Sequence, residues 1–303
     1  MISMFFVPLY SLPFFKGLAS QTNFLSYKTI IMIETFLSPK EDFSLYDNRF
    51  AGIGRLYGQK ALLKFKQSHV VIVGLGGVGS WAAEAIVRSG VGTISLIDPD
   101  DICVTNTNRQ LPAIEGEYGK FKADSLKERL LKINPELNIH VIKEFLGEKN
   151  IAEIFKVKPD YVIDGIDSIK HKVSILTYCR DQHIKIVTVG GTAGKWDPTK
   201  FRTGDIGESF NDKLIMRVRK KLRAHYDLPP TEKIHYGIDC VYSTEQAVYP
   251  DGEGGVCHLT PEAENKRLDC FTGMGSATFV TGSAGFIAAS IVLKNLATAP
   301  QIH

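Results

Sequence analysis

The chain has 303 residues, 44% of them apolar, and a formal net charge of +3. That length lets it bury a substantial core, as one large α/β domain or as one domain with additions, while so small a charge allows a local basic patch and argues for no anionic partner by itself. The five cysteines (Cys103, Cys179, Cys240, Cys257 and Cys270) are widely spaced and contain no C-x-x-C pair, so they read as reduced thiols and exclude a zinc site built from such pairs.

Residues 1–33 differ from the rest. They hold Phe5, Phe6, Phe14 and Phe15 with only Lys16 and Lys28 as charges. They lack the basic start of a signal peptide and the arginines of a transit peptide. They are expected to be an appended, poorly ordered apolar segment, with Met32 opening the main body; a targeting or membrane-associating role and an ordered structural role are the alternatives. Residues 34–67 are expected to form a short helical element.

Beyond residue 67 apolar runs alternate with helical patterns. Strands are expected at 70–73, 94–97, 139–142, 161–163 and 184–189, and helices at 80–89, 122–133, 151–155 and 170–183. This alternation predicts an α/β, Rossmann-like, doubly wound, mainly parallel sheet with helices on both faces. The nucleotide-binding core would span about 68–190 of a single domain over 34–297, and 191–297 would add a substrate or dimer part of helical and irregular character. That part holds a Gly190–Gly194 loop, a basic helix, a strand at 238–242 and a final helix rich in small residues; 298–303 is a tail. The stretch 271–293 carries no charge and is long enough to span a bilayer. Its glycines and its six serines and threonines suit a buried helix, with a membrane anchor as the alternative.

The first unit carries the chemistry. The strand at 70–73 runs into Gly74-Leu75-Gly76-Gly77-Val78-Gly79, a helix comes next, and the second strand ends at Asp98. Glycines let the backbone approach phosphate, the helix N-terminus faces the anion, and an acid after the second strand reaches a ribose hydroxyl. That pattern alone favours a dinucleotide. The segment after Asp98 does not. Asn106-Thr107-Asn108-Arg109-Gln110 begins eight residues after Asp98, and Lys122 lies thirteen beyond Arg109. Hydride transfer needs no cations around the phosphates, whereas attack on the α-phosphate of ATP does, because negative charge builds on the phosphoryl oxygens and the departing pyrophosphate.

These residues, with Asp164-Gly165-Ile166-Asp167, resemble the ATP site of the ubiquitin-activating superfamily, which includes the ThiF-like adenylating enzymes of molybdopterin and thiamine synthesis. RLYGQKAL (55–62), GGVGSWAAEAIVRSG (76–90), CVTNTNRQ (103–110), KINPE (132–136), VIDGIDS (162–168) and DCVYSTE (239–245) are similar to its tRNA threonylcarbamoyladenosine dehydratase branch. The resemblance covers about 46–297. It implies ATP as cosubstrate, with Gly74, Gly76, Gly77, Gly79 and Asn106 around the phosphates and Asp98 on the ribose. It further implies Arg109 and Lys122 as phosphate ligands, Asp167 as the magnesium-associated acid with Asp164 secondary, and Arg55 reaching the ATP of a partner subunit in trans. The structural alternatives are a tight turn for the glycines, surface charges for Arg109, Lys122 and Arg55, and a helix cap for Asp164. Asp100 and Asp101 are expected only to solvate their loop.

Residues 213–223, KLIMRVRKKLR, hold six basic side chains in eleven. Leu214, Val218 and Leu222 would pack inward, leaving Arg217, Lys220, Lys221 and Arg223 facing water, either as a solvated face or as a contact for tRNA phosphates. Cys270 is a candidate nucleophile, although ring closure does not require one. The expected reaction is ATP-dependent cyclisation of threonylcarbamoyladenosine in tRNA through an acyl-adenylate, in a cytoplasmic homodimer. No zinc is expected; a monovalent cation and a cysteine desulfurase system for sulfur transfer are further candidates, and membrane association is not expected. The rivals are adenylation of a sulfur-carrier protein, disfavoured by the missing C-x-x-C pairs, an NAD-dependent oxidoreductase, and an inert dimeric scaffold.

Overall fold

The computed structural model describes residues 45–229, 234–258 and 274–298. Contacts divide the chain into Met1–Leu45 and Tyr46–His303, and apart from Leu45 the described residues lie in the second unit. Residues 1–33, expected to be an appended segment, Cys270 and the residues beyond 298 lie outside the described residues.

Two helices, α1 (Leu45–Tyr57) and α2 (Gln59–Gln67), lead in. Gly58 separates them at φ +92°, a left-handed conformation that ends the first helix. After them come the strands β1 (His69–Val73), β2 (Thr93–Ile97), β3 (Asn138–Ile142), β4 (Tyr161–Asp164) and β5 (Ile186–Val189), with β6 (Phe201–Asp205) and β7 (Asp239–Ser243) beyond. They form one seven-stranded sheet in the order β3-β2-β1-β4-β5-β7-β6. All pairings are parallel except β6 with β7. The sequence reading missed β6, whose charged and glycine-containing run FRTGD shows no strand pattern. A short hairpin of β8 (Tyr249–Pro250) and β9 (Val256–Cys257) stands apart from the sheet.

Successive strand residues point to opposite faces. Val70 and Ile72 enter one core, with α2, α3 (Gly79–Arg88), α4 (Lys122–Ile133) and α8 (Thr278–Thr298). Val71 and Val73 enter the other, with α5 (Ile151–Ile154), α6 (Ile169–Asp181) and α7 (Lys213–His225). Burial on both faces explains why these strands read as continuous apolar runs.

The final helix starts at Thr278, later than the charge-free stretch suggested, and by length and composition it could cross a membrane. In the fold it lies in the core, with Val280, Ala284, Ala288 and Val292 fully buried. Its small residues have a packing reason. A Cβ on Gly285 would lie 2.5 Å from the Val78 carbonyl oxygen, and one on Gly282 would meet the Trp81 ring at 3.6 Å. The glycines let α8 press directly onto α3.

Candidate active site

Strand order reverses beside β1, since β1 leads back through β2 to β3 while β4 and β5 extend the other side. Ligands of such sheets bind in the crevice beyond the carboxyl ends of the strands at that reversal. Here the loop after β1 and the loop after β4 face each other: a Cβ on Gly74 would stand 3.0 Å from the Gly165 carbonyl carbon. Gly74 has φ +84°, and Gly79 approaches so closely that a Cβ there would lie 1.8 Å from the Gly74 oxygen. Neither position accepts a side chain. At Gly76 space is open, with the nearest atom of Gln110 at 3.7 Å, which leaves this stretch of backbone bare toward the cleft.

Asp98 closes β2 and is 5% exposed. Its carboxylate accepts from Leu75 N at 2.6 Å and Asp100 N at 2.9 Å, so it fastens the glycine loop to the second strand. Burial pushes its carboxyl above the ordinary aspartate range, opposed by Lys122 and these two backbone donors. The segment after Asp98 folds back on itself through Ile102 N to Lys120 O and Lys122 N to Asp100 O. That return explains the spacing of Lys122, which reaches Asp100 at 2.8 Å and Asp98 at 3.8 Å. Asp100 is therefore a partner of the site lysine, contrary to its expected role as a loop-solvating acid.

Arg109 sits on a segment wedged between α3 and the start of α8. Its carbonyl accepts from the Trp81 indole at 3.0 Å, and neighbouring Asn108 bonds Ser276 and Thr278. The guanidinium donates to the Thr105 carbonyl and the Asn108 amide oxygen, both neutral, each at 3.0 Å. Asn106 is buried, and its side-chain oxygen accepts from Cys103 N, closing the short 3-10 turn Val104–Asn106.

Asp164 and Asp167 have opposite surroundings. Asp164 is fully buried, takes Lys172 at 2.7 Å and the Thr188 hydroxyl at 2.7 Å, and accepts from Ile166 N at 3.1 Å. It neither caps α6 nor lines the cleft on which Asp167 lies. Asp167 lies exposed on the cleft wall with no hydrogen bond or ion pair among the described residues. A magnesium ion bound with ATP phosphates needs only one or two carboxylates, and Asp167 fits that requirement.

Glycine loop, Asp98, Asn106, Arg109, Lys122 and Asp167 line one cleft of about 1810 Å³. Arg55, exposed in the last turn of α1, does not line it. The sequence reading missed the far half of the cleft, formed by the Gly190–Lys195 loop, Phe210, the first turns of α7 and Tyr249. The basic helix thus turns one end toward the cavity and does not stand apart from the site. Its buried stripe is Ile215, Val218 and Leu222; Leu214 is only half-buried. Arg217, Lys220 and Lys221 are exposed as expected, whereas Arg223 is half-buried and donates to the Pro229 carbonyl.

The model of the ThiF family matches residues 48–302. A tRNA threonylcarbamoyladenosine dehydratase of Escherichia coli is 45% identical over 249 residues, covering 82% of this chain and 93% of the relative. Its Haemophilus influenzae counterpart is 41% identical over 251 residues, covering 83% and 94%. A crystal structure of the E. coli dehydratase TcdA in complex with ATP superposes with a TM-score of 0.73 at 42% identity, covering 82% of this chain and 94% of that one.

Proposed function

The chain belongs to the ThiF family, and from that premise we propose that it is an ATP-dependent tRNA threonylcarbamoyladenosine dehydratase. The observation that carries the reading is the cleft. Pockets for one small ligand measure about 300–1,000 Å³, whereas this one of about 1810 Å³ has room for ATP and a second group meeting it end to end. The E. coli and H. influenzae dehydratases are similar to this chain over nearly their whole length.

The glycine loop and the N-terminus of α3 receive the phosphates, and Asp98 lies where a ribose hydroxyl would end. The threonine-derived carboxylate of the modified adenosine attacks the α-phosphate, forming an acyl-adenylate and releasing pyrophosphate. Arg109 matters most here. Among the described residues its guanidinium is bonded only to neutral acceptors, so its charge is available to oxygens that become more negative in the transition state. Lys122 exchanges Asp100 for phosphate. Asp167 is the residue that would hold magnesium, which when bound with ATP neutralises phosphate charge. The carbamoyl nitrogen then closes a ring onto the activated carbonyl and expels AMP, so one water is lost overall.

Arg55 serves the site of a second subunit in a homodimer, consistent with its position away from its own cleft. Arg217, Lys220 and Lys221 form an exposed basic face for tRNA phosphates. The test is incubation with ATP and tRNA carrying threonylcarbamoyladenosine, with mass measurement of the nucleoside afterwards. Loss of one water with release of AMP is expected; an unchanged nucleoside beside adenylation of a sulfur-carrier protein would transfer the function to the rival class.

A further inference from the structure

Besides Lys122, the described residues include two buried lysines near the ends of the strands, and they differ sharply. Lys172 donates at 2.7 Å to Asp164 and at 2.9 Å to Thr188, as a structural ammonium should. Lys195 has a side chain only 5% exposed, yet its one hydrogen bond among the described residues is a long 3.4 Å contact to the Ser243 carbonyl. The nearest acid, Asp212, stands at 3.9 Å, and its two oxygens already accept from Gly191 N and Ile215 N at 2.9 Å each. An ammonium offers three donors. Lys195 lines the cleft, and its amine is largely unused by the described residues.

Its placement is rigid and on one side of the chemistry. Gly194 donates to the Gly275 carbonyl at 2.7 Å and accepts from Val248 N at 2.8 Å. A Cβ at Gly194 would lie 2.5 Å from the Val248 oxygen. The loop that ends at Lys195 comes after β5, while Asp167 comes after β4 and the glycine loop after β1. Adjacent strands are spaced about 4.8 Å apart, so the loop of Lys195 lies on the far side of Asp167 from the glycine loop, the side toward which an acyl group would project from an α-phosphate held at that loop. Burial pulls its ammonium below the ordinary lysine range, against Asp212 at the start of α7, Glu245 after β7 and Tyr249 of β8.

Resting on the dehydratase reading, we propose that Lys195 is the base of ring closure, its neutral amine taking the proton from the attacking carbamoyl nitrogen. The nitrogen's electron pair forms the new bond to the acyl carbon. The bond from that carbon to the phosphate oxygen breaks, and AMP leaves with the electrons. Lys195, now an ammonium, returns the proton to solvent. A buried lysine with a depressed pKa suits this task, and a well-placed base is worth about 10²–10⁴-fold.

The two half-reactions separate experimentally. Pyrophosphate exchange into ATP, dependent on the modified tRNA, reads adenylation; cyclic nucleoside formed in a single turnover reads closure. Lys195→Met and Lys195→Arg should each lower closure about 100-fold or more, and lower exchange far less. In the wild type, closure should rise with pH to a plateau, and in Lys195→Arg that rise should vanish. Should Lys195→Met fail to fold, Lys195→Arg decides, because it keeps a long side chain with hydrogen-bond donors but holds its proton at any working pH and so cannot serve as a base. Parallel losses of exchange and closure would make Lys195 a ligand for an anion and overturn the proposal, as would full closure in both variants. Wild-type exchange indifferent to modified tRNA would instead sink the dehydratase reading itself.

Discussion

The buried trio of Asp164, Lys172 and Thr188 offers the sharpest test of how the fold holds the loop between β4 and α6. Lys172 and Asp164 are both fully buried, 2.7 Å apart. Replacing Lys172 by Met keeps the apolar stem but strands the carboxylate with, among the described residues, only the Thr188 hydroxyl and Ile166 N as donors. Removing one partner of such a pair costs about 3–5 kcal/mol, because the remaining charge is buried without compensation. For a chain of this size each kcal/mol lowers the melting temperature by about 2–4 °C, so Lys172→Met should lose roughly 6–20 °C.

Asp164→Asn added to Lys172→Met removes the stranded charge while keeping an oxygen for Ile166 N, and the double variant should regain a substantial part of the loss. Denaturant and thermal unfolding of both variants measure the coupling. The same trio should set activity. Asp164 fixes Ile166, and Asp167 comes one residue later, so loosening this anchor should lower adenylation turnover at temperatures where Lys172→Met is still folded. A loss of stability under about 1 kcal/mol with unchanged turnover would refute the reasoning, since it would mean the charge finds water in the folded state.

Arg109→Ala and Asp167→Ala should each lower adenylation turnover by about 10²–10³-fold while shifting calorimetric ATP affinity less, because the charges they meet develop in the transition state; near-native turnover in both would remove them from the site. Mixing inactive Arg55→Ala with inactive Asp167→Ala subunits should restore activity at one site per heterodimer, and no rescue despite demonstrated subunit exchange counts against action in trans. Converting Arg217, Lys220 and Lys221 together to Glu should weaken tRNA binding and make its salt dependence shallower by roughly two to three in log–log slope; an unchanged slope in fluorescence titration moves the tRNA surface elsewhere. Burial, reinforced by His140 and opposed by Asp160, holds His69 below its ordinary value of 6.5. The unfolded chain then binds the extra proton first, so this contribution is intact above 6.5 and is lost as pH falls below it. The unfolding midpoint should drop between about pH 7.5 and about pH 5.5, and less so in His69→Asn.

The half of the cleft around the glycine loop was legible because its signals are local. Gly74 needs a positive φ, Gly79 has no room for a Cβ, and both constraints act within six residues of the strand that precedes them. The central strands could be read as continuous apolar runs, since Val70 to Val73 serve two cores at once. The far half was not legible because it is assembled over long separations. Asp212 fits beside Gly190 only because that residue has no Cβ, which would sit 2.1 Å from the carboxylate, and nothing in the local sequence of either announces the other. Leu214 and Ile215 are adjacent apolar residues, and only the packed sheet decides that Ile215 enters the core while Leu214 turns to the cleft. Asp100 looked like loop solvation because its partner lies twenty-two residues away.

The pairing of Lys122 also bears on how the site accepts a triphosphate. Its amine is nearly buried, but Asp100, the acid it touches at 2.8 Å, has a side chain 59% exposed. A pair with one member in water contributes little, about 0–1 kcal/mol, so phosphate can displace Asp100 at small cost, and the released carboxylate returns to solvent. Asp98 is different. At 3.8 Å from Lys122 and held by two backbone donors, it stays in place when the lysine moves. The free enzyme thus keeps Lys122 oriented without tying it down, and the exchangeable partner is the exposed one. Asp100→Asn should leave the fold intact and alter ATP affinity only modestly, whereas losing Asp98 would release the glycine loop from β2 and degrade both.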